Sequence, residues 1–329
     1  MPKATIIGNT TWGNTLSALL SDRGIAVRLW TRSEAEVEGL IQGTHSYSST
    51  SHIEEALDGV DVVIWAVPSQ SLRQNVVRAK SYLTDSMLLV SAAKGLEVDT
   101  GKRMSQVMAE EISPALRQQI CVLSGPNLAK EIAQGLPAAS IIAAEDIAIA
   151  ERVQQLVSST KFLIFTSNDV IGVELGGALK NIIALGAGVV DGLALGDNAK
   201  AAFITWSWAE ATSLGLALGA KASTFYGLAG LGDLIATCAS ALSRNHYVGY
   251  ELAKGRSLKE IAASMSQVAE GVYTTMAVHQ LTQELNLEAP ISNLIYRVLF
   301  EDLPLTEARA NFSQLVIEGH YWHSLSALG

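Results

Sequence analysis

Three places in the chain combine residue types and spacings that could do chemistry. The first is Ile6-Ile7-Gly8-Asn9-Thr10-Thr11-Trp12-Gly13. Gly8 permits a tight turn, and Gly13 lets a following helix pack closely on the preceding strand. Free N–H groups at the helix start can then receive a pyrophosphate. Fingerprints of this kind carry glycine where this chain has Thr10.

The second is Lys180. On a helix over 168–190 its neighbours at helical spacing are Val173, Gly176, Gly177, Ala184, Ala187 and Gly188. A face of such small residues leaves room for a ligand beside the lysine. It equally suits close packing of two helices, with the lysine reaching solvent past them. A lysine can serve in proton transfer if burial or a nearby cation lowers its ammonium pKa.

The third is Ser243-Arg244-Asn245, ahead of a helical run over 246–254. A capping serine, free N–H groups and an adjacent guanidinium make a sound phosphate site. Simple capping accounts for Ser243 but not for the arginine. Asp233, in a glycine-flanked turn, could orient Lys180, accept a substrate hydroxyl, or only cap a helix from 234 onward. Lys94 stands just past a strand's carboxyl end, where ligands bind in open α/β sheets. Arg32 follows the second strand, where NAD-selective proteins usually present a carboxylate. None occurs before Glu34, so Arg32 could stack on adenine or pair with a 2′-phosphate. No histidine has an obvious partner by spacing, and no metal site is expected.

These residues need elements to position them. The first half alternates short apolar runs, at 4–8, 26–30, 61–67, 87–92, 120–124, 140–144 and 163–166, with helical stretches. Continuous rather than alternating apolar runs predict strands covered on both faces. Ser51 followed by Glu54 reads as a capping box. Beyond about 167 the β signal stops, and alanine-, leucine- and glycine-rich helices follow, with breaks near 192–196, 227–232 and Pro290. The expected fold is α/β, an N-terminal Rossmann-like doubly wound sheet followed by an all-α C-terminal domain. The expected domains are 1–167 for dinucleotide binding and 168–329 for substrate binding and catalysis.

Composition sets outer limits. At 329 residues the chain suits two domains, and 49% hydrophobic with 17% charged residues supports a sizeable core. A net charge of −9 argues against a nucleic-acid partner, which needs a clustered basic face. Cys121 and Cys238 lie in separate apolar stretches, reading as core thiols in a reducing compartment. The expectation is a cytoplasmic protein without signal peptide or membrane insertion. The apolar stretch over 201–220 contains Glu210 and reads as a buried helix. Trp206 and Trp208 are expected to pack in the helical core or at an interface.

Further motifs occur in a fixed order. They are Lys94-Gly95-Leu96-Glu97, Ser124-Gly125-Pro126-Asn127-Leu128-Ala129-Lys130-Glu131, Glu174-Leu175-Gly176-Gly177-Ala178-Leu179-Lys180-Asn181, Gly230-Leu231-Gly232-Asp233-Leu234, Ser243-Arg244-Asn245 and Glu270-Gly271. In this order and spacing they resemble the bacterial NAD(P)-dependent sn-glycerol-3-phosphate dehydrogenases over nearly the whole chain.

The resemblance implies interconversion of sn-glycerol 3-phosphate and dihydroxyacetone phosphate with NADP or NAD, supplying phospholipid synthesis. It implies Lys180 as the proton-transfer residue, with Lys94 and Asp233 completing the catalytic set. Substrate contacts would come from Lys94, Gly125, Asn127, Lys180, Asp233, Ser243, Arg244 and Asn245. Cofactor contacts would come from Gly8, Thr11, Trp12, Gly13, Arg32, Lys94, Ala129, Arg244, Val268 and Glu270. Three features depart from the family pattern: Thr10 for glycine, Asn127 for serine or threonine, and a short stretch between Arg32 and Asp61. The alternatives are a related 2-hydroxy-acid or sugar-acid dehydrogenase, or a non-enzymatic dinucleotide-sensing module. A homodimer is expected from base rates.

Overall fold

The computed structural model of the chain describes residues 1–41, 46–240, 242–265, 267 and 269–318. Two compact units divide it. The first comprises Met1–Lys94 and Arg103–Val173. The second comprises Gly95–Lys102 and the chain from Glu174 onward.

The first unit holds eight strands: β1 Lys3–Ile7, β2 Ala26–Trp30, β3 Ser48–Thr50, β4 Val62–Trp65, β5 Leu88–Ser91, β6 Ile120–Ser124, β7 Ala138–Ala143 and β8 Phe162–Ser167. They form one sheet in the order β3-β2-β1-β4-β5-β6-β7-β8. Every pairing is parallel except the antiparallel β6–β7 pair. Its helices are α1 Thr11–Asp22, α2 Glu34–Ile41, α3 Ile53–Leu57, α4 Leu72–Ala79, α5 Met104–Glu111, α6 Ala129–Ala133 and α7 Ile147–Val157.

Alternation along each strand sends side chains to two separate cores. Ile6, Val62 and Ile64 pack with α1, α6 and α7 through Leu16, Leu20, Ile132 and Val153. Ile7, Val63 and Trp65 pack on the other face with α3, α4 and α5 through Leu57, Val76, Val107 and Met108. Burial on both faces is why these strands read as unbroken apolar runs. The sheet order reverses direction between β1 and β4, so the carboxyl ends of those strands frame the switch point where doubly wound folds bind ligands.

All seven strands expected from apolar runs form, with shifts of one or two residues at their ends. β3 is an addition. Its sequence, Ser48-Ser49-Thr50, has no apolar signal, and the strand exists through parallel pairing to β2. The expected capping box at Ser51 does not form. α3 is preceded by His52, which makes no side-chain cap bond, while Ser51 Oγ donates to Glu34 Oε1. Thr50 Oγ1 instead donates to Glu55 Oε2 at 2.6 Å and accepts from His52 N.

α8 Val170–Gly192 starts at the end of the first unit and continues into the second. The remaining helices of the second unit are α9 Asp197–Ala217, α10 Ala222–Phe225, α11 Asp233–Ala239, α12 Arg244–Ala253, α13 Leu258–Ser264, α14 Glu270–Glu284, α15 Pro290–Phe300 and α16 Leu305–Ile317. α8 meets α12 backbone to backbone. A Cβ on Gly188 would lie 2.0 Å from His246 O, and one on Gly249 would lie 1.9 Å from Leu185 O. Small residues on α8 therefore do let helices pack closely.

Glu210 is buried and accepts from Ile291 N at 2.6 Å, Ser292 N at 2.8 Å and Ser292 Oγ at 2.7 Å. It ties α9 to the α15 N-terminus, which begins at Pro290 as a first-turn proline can. Burial pushes its carboxyl up, against the opposing bonds from Ser292 and Ile291. The expected break over 227–232 is instead a π-helical turn, Leu228–Gly232, leading directly into α11. α8 is long and apolar enough to cross a membrane, but 89% of its most apolar window is buried inside the protein. Trp206 packs on Phe312 and Trp208 on Phe225, at 5.5 and 5.4 Å between centroids, within the helical core.

Candidate active site

In the first unit, the β1–α1 turn is built by excluding side chains. Gly8 has φ +122°, and a Cβ there would lie 2.7 Å from Val67 Cγ1 and 2.8 Å from Ala66 O. A Cβ on Gly13 would lie 2.1 Å from Gly8 O. Thr10, the departure from the fingerprint, has φ −115°, so its position requires no glycine. Its hydroxyl donates to Ala66 O at 2.8 Å and accepts from Gly13 N at 3.0 Å, capping α1. The cradle a Cβ would fill and the helix N-terminus behind it fit a dinucleotide pyrophosphate.

Thr11 is exposed, while Trp12 turns its ring inward, edge-on to Phe162 at 6.1 Å. Arg32, just past β2, is exposed. The next carboxylate along the chain, Glu34, is engaged by Ser51 and lies 3.4 Å from His52 Nε2.

At the carboxyl ends of β5 and β6, Lys94 Nζ donates to Gly125 O at 2.7 Å. Gly125 has φ +147°, and its absent side chain would meet Ser140 Cα at 2.9 Å. Ser140 Oγ donates to Asn127 Oδ1, which fixes the amide so that Asn127 Nδ2 is buried without a hydrogen-bond partner. An orphaned buried donor is costly unless a ligand satisfies it. Asn127 Nδ2 shares this state with Ser91 Oγ, Ser124 Oγ and other buried polar atoms, and is a candidate donor to a ligand or a water. Ala129 opens α6, and its carbonyl accepts from Thr15 Oγ1 of α1 at 3.3 Å.

In the second unit, Lys180 is 6% exposed and Asp233 2%. Lys180 Nζ lies 2.7 Å from Asp233 Oδ1 and 2.6 Å from Thr237 Oγ1. Thr237 Oγ1 also donates to Asp233 Oδ1 at 3.2 Å. The close-packing alternative for the small-residue face therefore holds in its packing but not in its solvent-reaching lysine. Gly176 and Gly188 approach foreign backbone, yet Lys180 is buried against a carboxylate rather than reaching solvent. The π-helical turn carries Asp233 to the lysine, and such turns are frequent at functional sites. Sequence reasoning missed Thr237, although its i+4 spacing from Asp233 on a helix places both on one face.

Ser243 caps α12 by accepting from His246 N at 3.2 Å. Arg244 Nη1 donates to Gln267 Oε1 at 3.0 Å. Arg244 is exposed overall, but neighbouring atoms strip enough water from its guanidinium to pull it below the ordinary range, against the opposing charge of Glu270 at the start of α14. Asn245 is buried: its Nδ2 donates to Asn181 Oδ1 at 2.8 Å, and its Oδ1 accepts from Gly271 N at 2.9 Å.

His246, which had no partner by spacing, has one 55 residues away: its Nε2 lies 2.6 Å from Asp191 Oδ2. Burial raises the Asp191 carboxyl, but hydrogen bonds from Lys200 and His246 outweigh it and hold the group below its ordinary range. Val268 lies outside the described residues. Cys121 and Cys238 are buried, and burial pushes both thiols up to about 12.

With this geometry in place, comparison with known proteins decides the family. Residues 3–150 match the N-terminal region, and residues 169–310 the C-terminal region, of NAD-dependent glycerol-3-phosphate dehydrogenase. The chain belongs to that family. It is 52% identical over 321 residues to the glycerol-3-phosphate dehydrogenase [NAD(P)+] of Dehalococcoides mccartyi, covering 94% of this chain and 89% of that one. Its identity to the enzyme of the same description from Lactiplantibacillus plantarum is 44% over 322 residues, covering 93% and 95%.

Among solved structures, glycerol-3-phosphate dehydrogenase of Coxiella burnetii matches with a TM-score of 0.88 at 32% identity, covering 96% of this chain and 98% of that one. The family is one of NAD(P)-dependent oxidoreductases acting on glycerol 3-phosphate, and the Rossmann-like sheet with a helical second half is its fold.

Proposed function

We propose that the first unit holds the nicotinamide cofactor, that the second holds the three-carbon phosphate, and that Lys180 exchanges the proton with the substrate oxygen. The buried Lys180–Asp233–Thr237 cluster carries this reading, because a lysine fixed by two acceptors and shielded from water can present its proton in one direction. The cofactor supplies or accepts the hydride. In the direction of ketone reduction, hydride arrives at the substrate's central carbon and the C=O pair moves to oxygen. Lys180 protonates that oxygen, and solvent later restores the lysine proton. Asp233 and Thr237 hold Nζ in place throughout.

The phosphate would be bound at the start of α12. There the Arg244 side chain and the Arg244 and Asn245 N–H groups, which lie outside the intrahelical ladder, would be the donors. Asn127 Nδ2 would satisfy an acceptor on substrate or cofactor, with Lys94 and Gly125 beside it. Gly8, Thr11, Trp12 and Gly13 would receive the pyrophosphate. Ala129, Val268 and Glu270 would complete the cofactor contacts. Arg32, with Glu34 turned away to Ser51, favours acceptance of a 2′-phosphate, so NADP(H) would be used at least as well as NAD(H).

We assign the enzyme a cytoplasmic, homodimeric form without membrane insertion, and a role in supplying glycerol 3-phosphate for phospholipid synthesis. The test is oxidation of NADPH and NADH by purified protein with dihydroxyacetone phosphate and, separately, with dihydroxyacetone. Turnover should require the phosphate. Equal rates with both ketones would remove the phosphate role of Arg244.

A further inference from the structure

The second unit contains a cavity of about 360 Å³ that hydride transfer does not require. It lies among α8, α9, α15 and α16, walled by side chains such as Val189, Phe203, Leu294, Val298 and Phe312. Protein interiors are packed to near crystal density, with few voids larger than a water molecule. A space of this size falls within the roughly 300–1,000 Å³ range of ligand pockets. Its floor is shaped rather than slack: Phe203 lies so close over Gly186 that a Cβ there would come within 2.1 Å of the ring.

Of the residues lining the cavity, only Arg309 and Ser313 are exposed, and they stand one helical turn apart on α16. They mark the opening. Ser313 Oγ donates to Arg309 O, so that hydroxyl is already engaged. Among the described residues the Arg309 guanidinium has no acidic partner, on a chain of net charge −9. Nearby Arg297, by contrast, lies 3.5 Å from Glu301. The site is thus apolar throughout its depth and singly cationic at its mouth.

We propose that this cavity binds a single-chain amphiphile with an anionic head, of the fatty-acid class. The alkyl chain would lie between α8 and α15, and the carboxylate would pair with the Arg309 fork at the opening. An apolar cavity of this kind excludes water and accepts a hydrocarbon guest.

The probe is laurate, titrated into the intact enzyme below its micelle concentration, with calorimetry and tryptophan fluorescence, to which the cavity-lining Trp206 contributes, as readouts. We expect saturable 1:1 binding that strengthens roughly threefold to fourfold per added methylene from octanoate to laurate. Arg309→Gln, an exposed change that leaves folding intact, should weaken laurate about tenfold and leave dodecanol unchanged. Ala202 also lines the cavity, and Ala202→Trp should fill the space and abolish both, with thermal unfolding confirming that the variant is folded.

Three results would each overturn the proposal. One is no saturable laurate binding, and another is binding indifferent to both substitutions. The third is concentration-dependent self-association abolished by Ala202→Trp, which would make the cavity a contact between copies of the chain.

Discussion

The β1–α1 turn and the Lys180 cluster meet the same demand, presenting polar groups to a ligand, by opposite physical means. The turn works by absence: no side chain fits at Gly8 or Gly13, and backbone N–H groups are left at a helix start. The cluster works by compensation: a charge is buried, and two acceptors at hydrogen-bond distance make that tolerable. The difference explains why a change in the fingerprint is tolerated. Thr10 has extended backbone and turns its hydroxyl to Ala66 and Gly13, so its side chain is absorbed. No comparable substitution is available at Lys180 or Asp233, where either partner alone is an uncompensated buried charge.

Substitutions can break or sharpen this contrast. The largest effect is expected for Asp233→Ala, which leaves the Lys180 ammonium buried with Thr237 alone. Unfolding free energy should fall by about 3–5 kcal/mol in denaturant titrations, with turnover lost alongside. A stable, active variant would refute the compensation reading.

Gly13→Ala should come next. Its Cβ would force α1 away from Gly8, costing roughly 1–3 kcal/mol and weakening NADPH binding measured by calorimetry. Residual turnover at saturating cofactor should be largely kept.

Thr237→Val removes one of two acceptors on Nζ while nearly preserving shape. A loss of about 1 kcal/mol of stability is expected, with a fall in kcat that exceeds any change in KM. A change confined to KM would reduce Thr237 to a packing role.

The smallest effect belongs to Thr10→Gly, where losing the cap should cost only a few tenths of a kcal/mol in thermal unfolding. NADPH affinity should hold or rise slightly. A large loss of affinity would mean that the Thr10 hydroxyl serves the cofactor directly.

Sequence pattern was sufficient where chemistry and burial coincide. β1, β4, β5 and β6 are buried on both faces and announce themselves as apolar runs. Lys180 stood out because glycine and alanine surround it. What stayed hidden depends on partners distant in the chain. β3 is polar and exists through pairing to β2, and Ser51 capped nothing because Glu34 engaged its hydroxyl. His246 found Asp191 only through the close contact of α8 and α12. The orphaned amide of Asn127 became meaningful only once Ser140 was seen to hold its other end. Thr237 was within reach, since a helix starting at Asp233 places residue 237 on the same face.

The most direct measurement is single-turnover oxidation of NADPH at saturating dihydroxyacetone phosphate in Lys180→Met and Lys180→Arg. The NADPH dissociation constant should be measured in parallel. Arginine keeps a cation opposite Asp233 but does not release its proton near neutrality. If Lys180 is the proton donor, both variants lose roughly 10²–10⁴-fold in rate. Their NADPH affinity should stay within about twofold of wild type, because Lys180 is assigned no cofactor contact. A folded Lys180→Arg enzyme turning over within about tenfold of wild type would contradict that role.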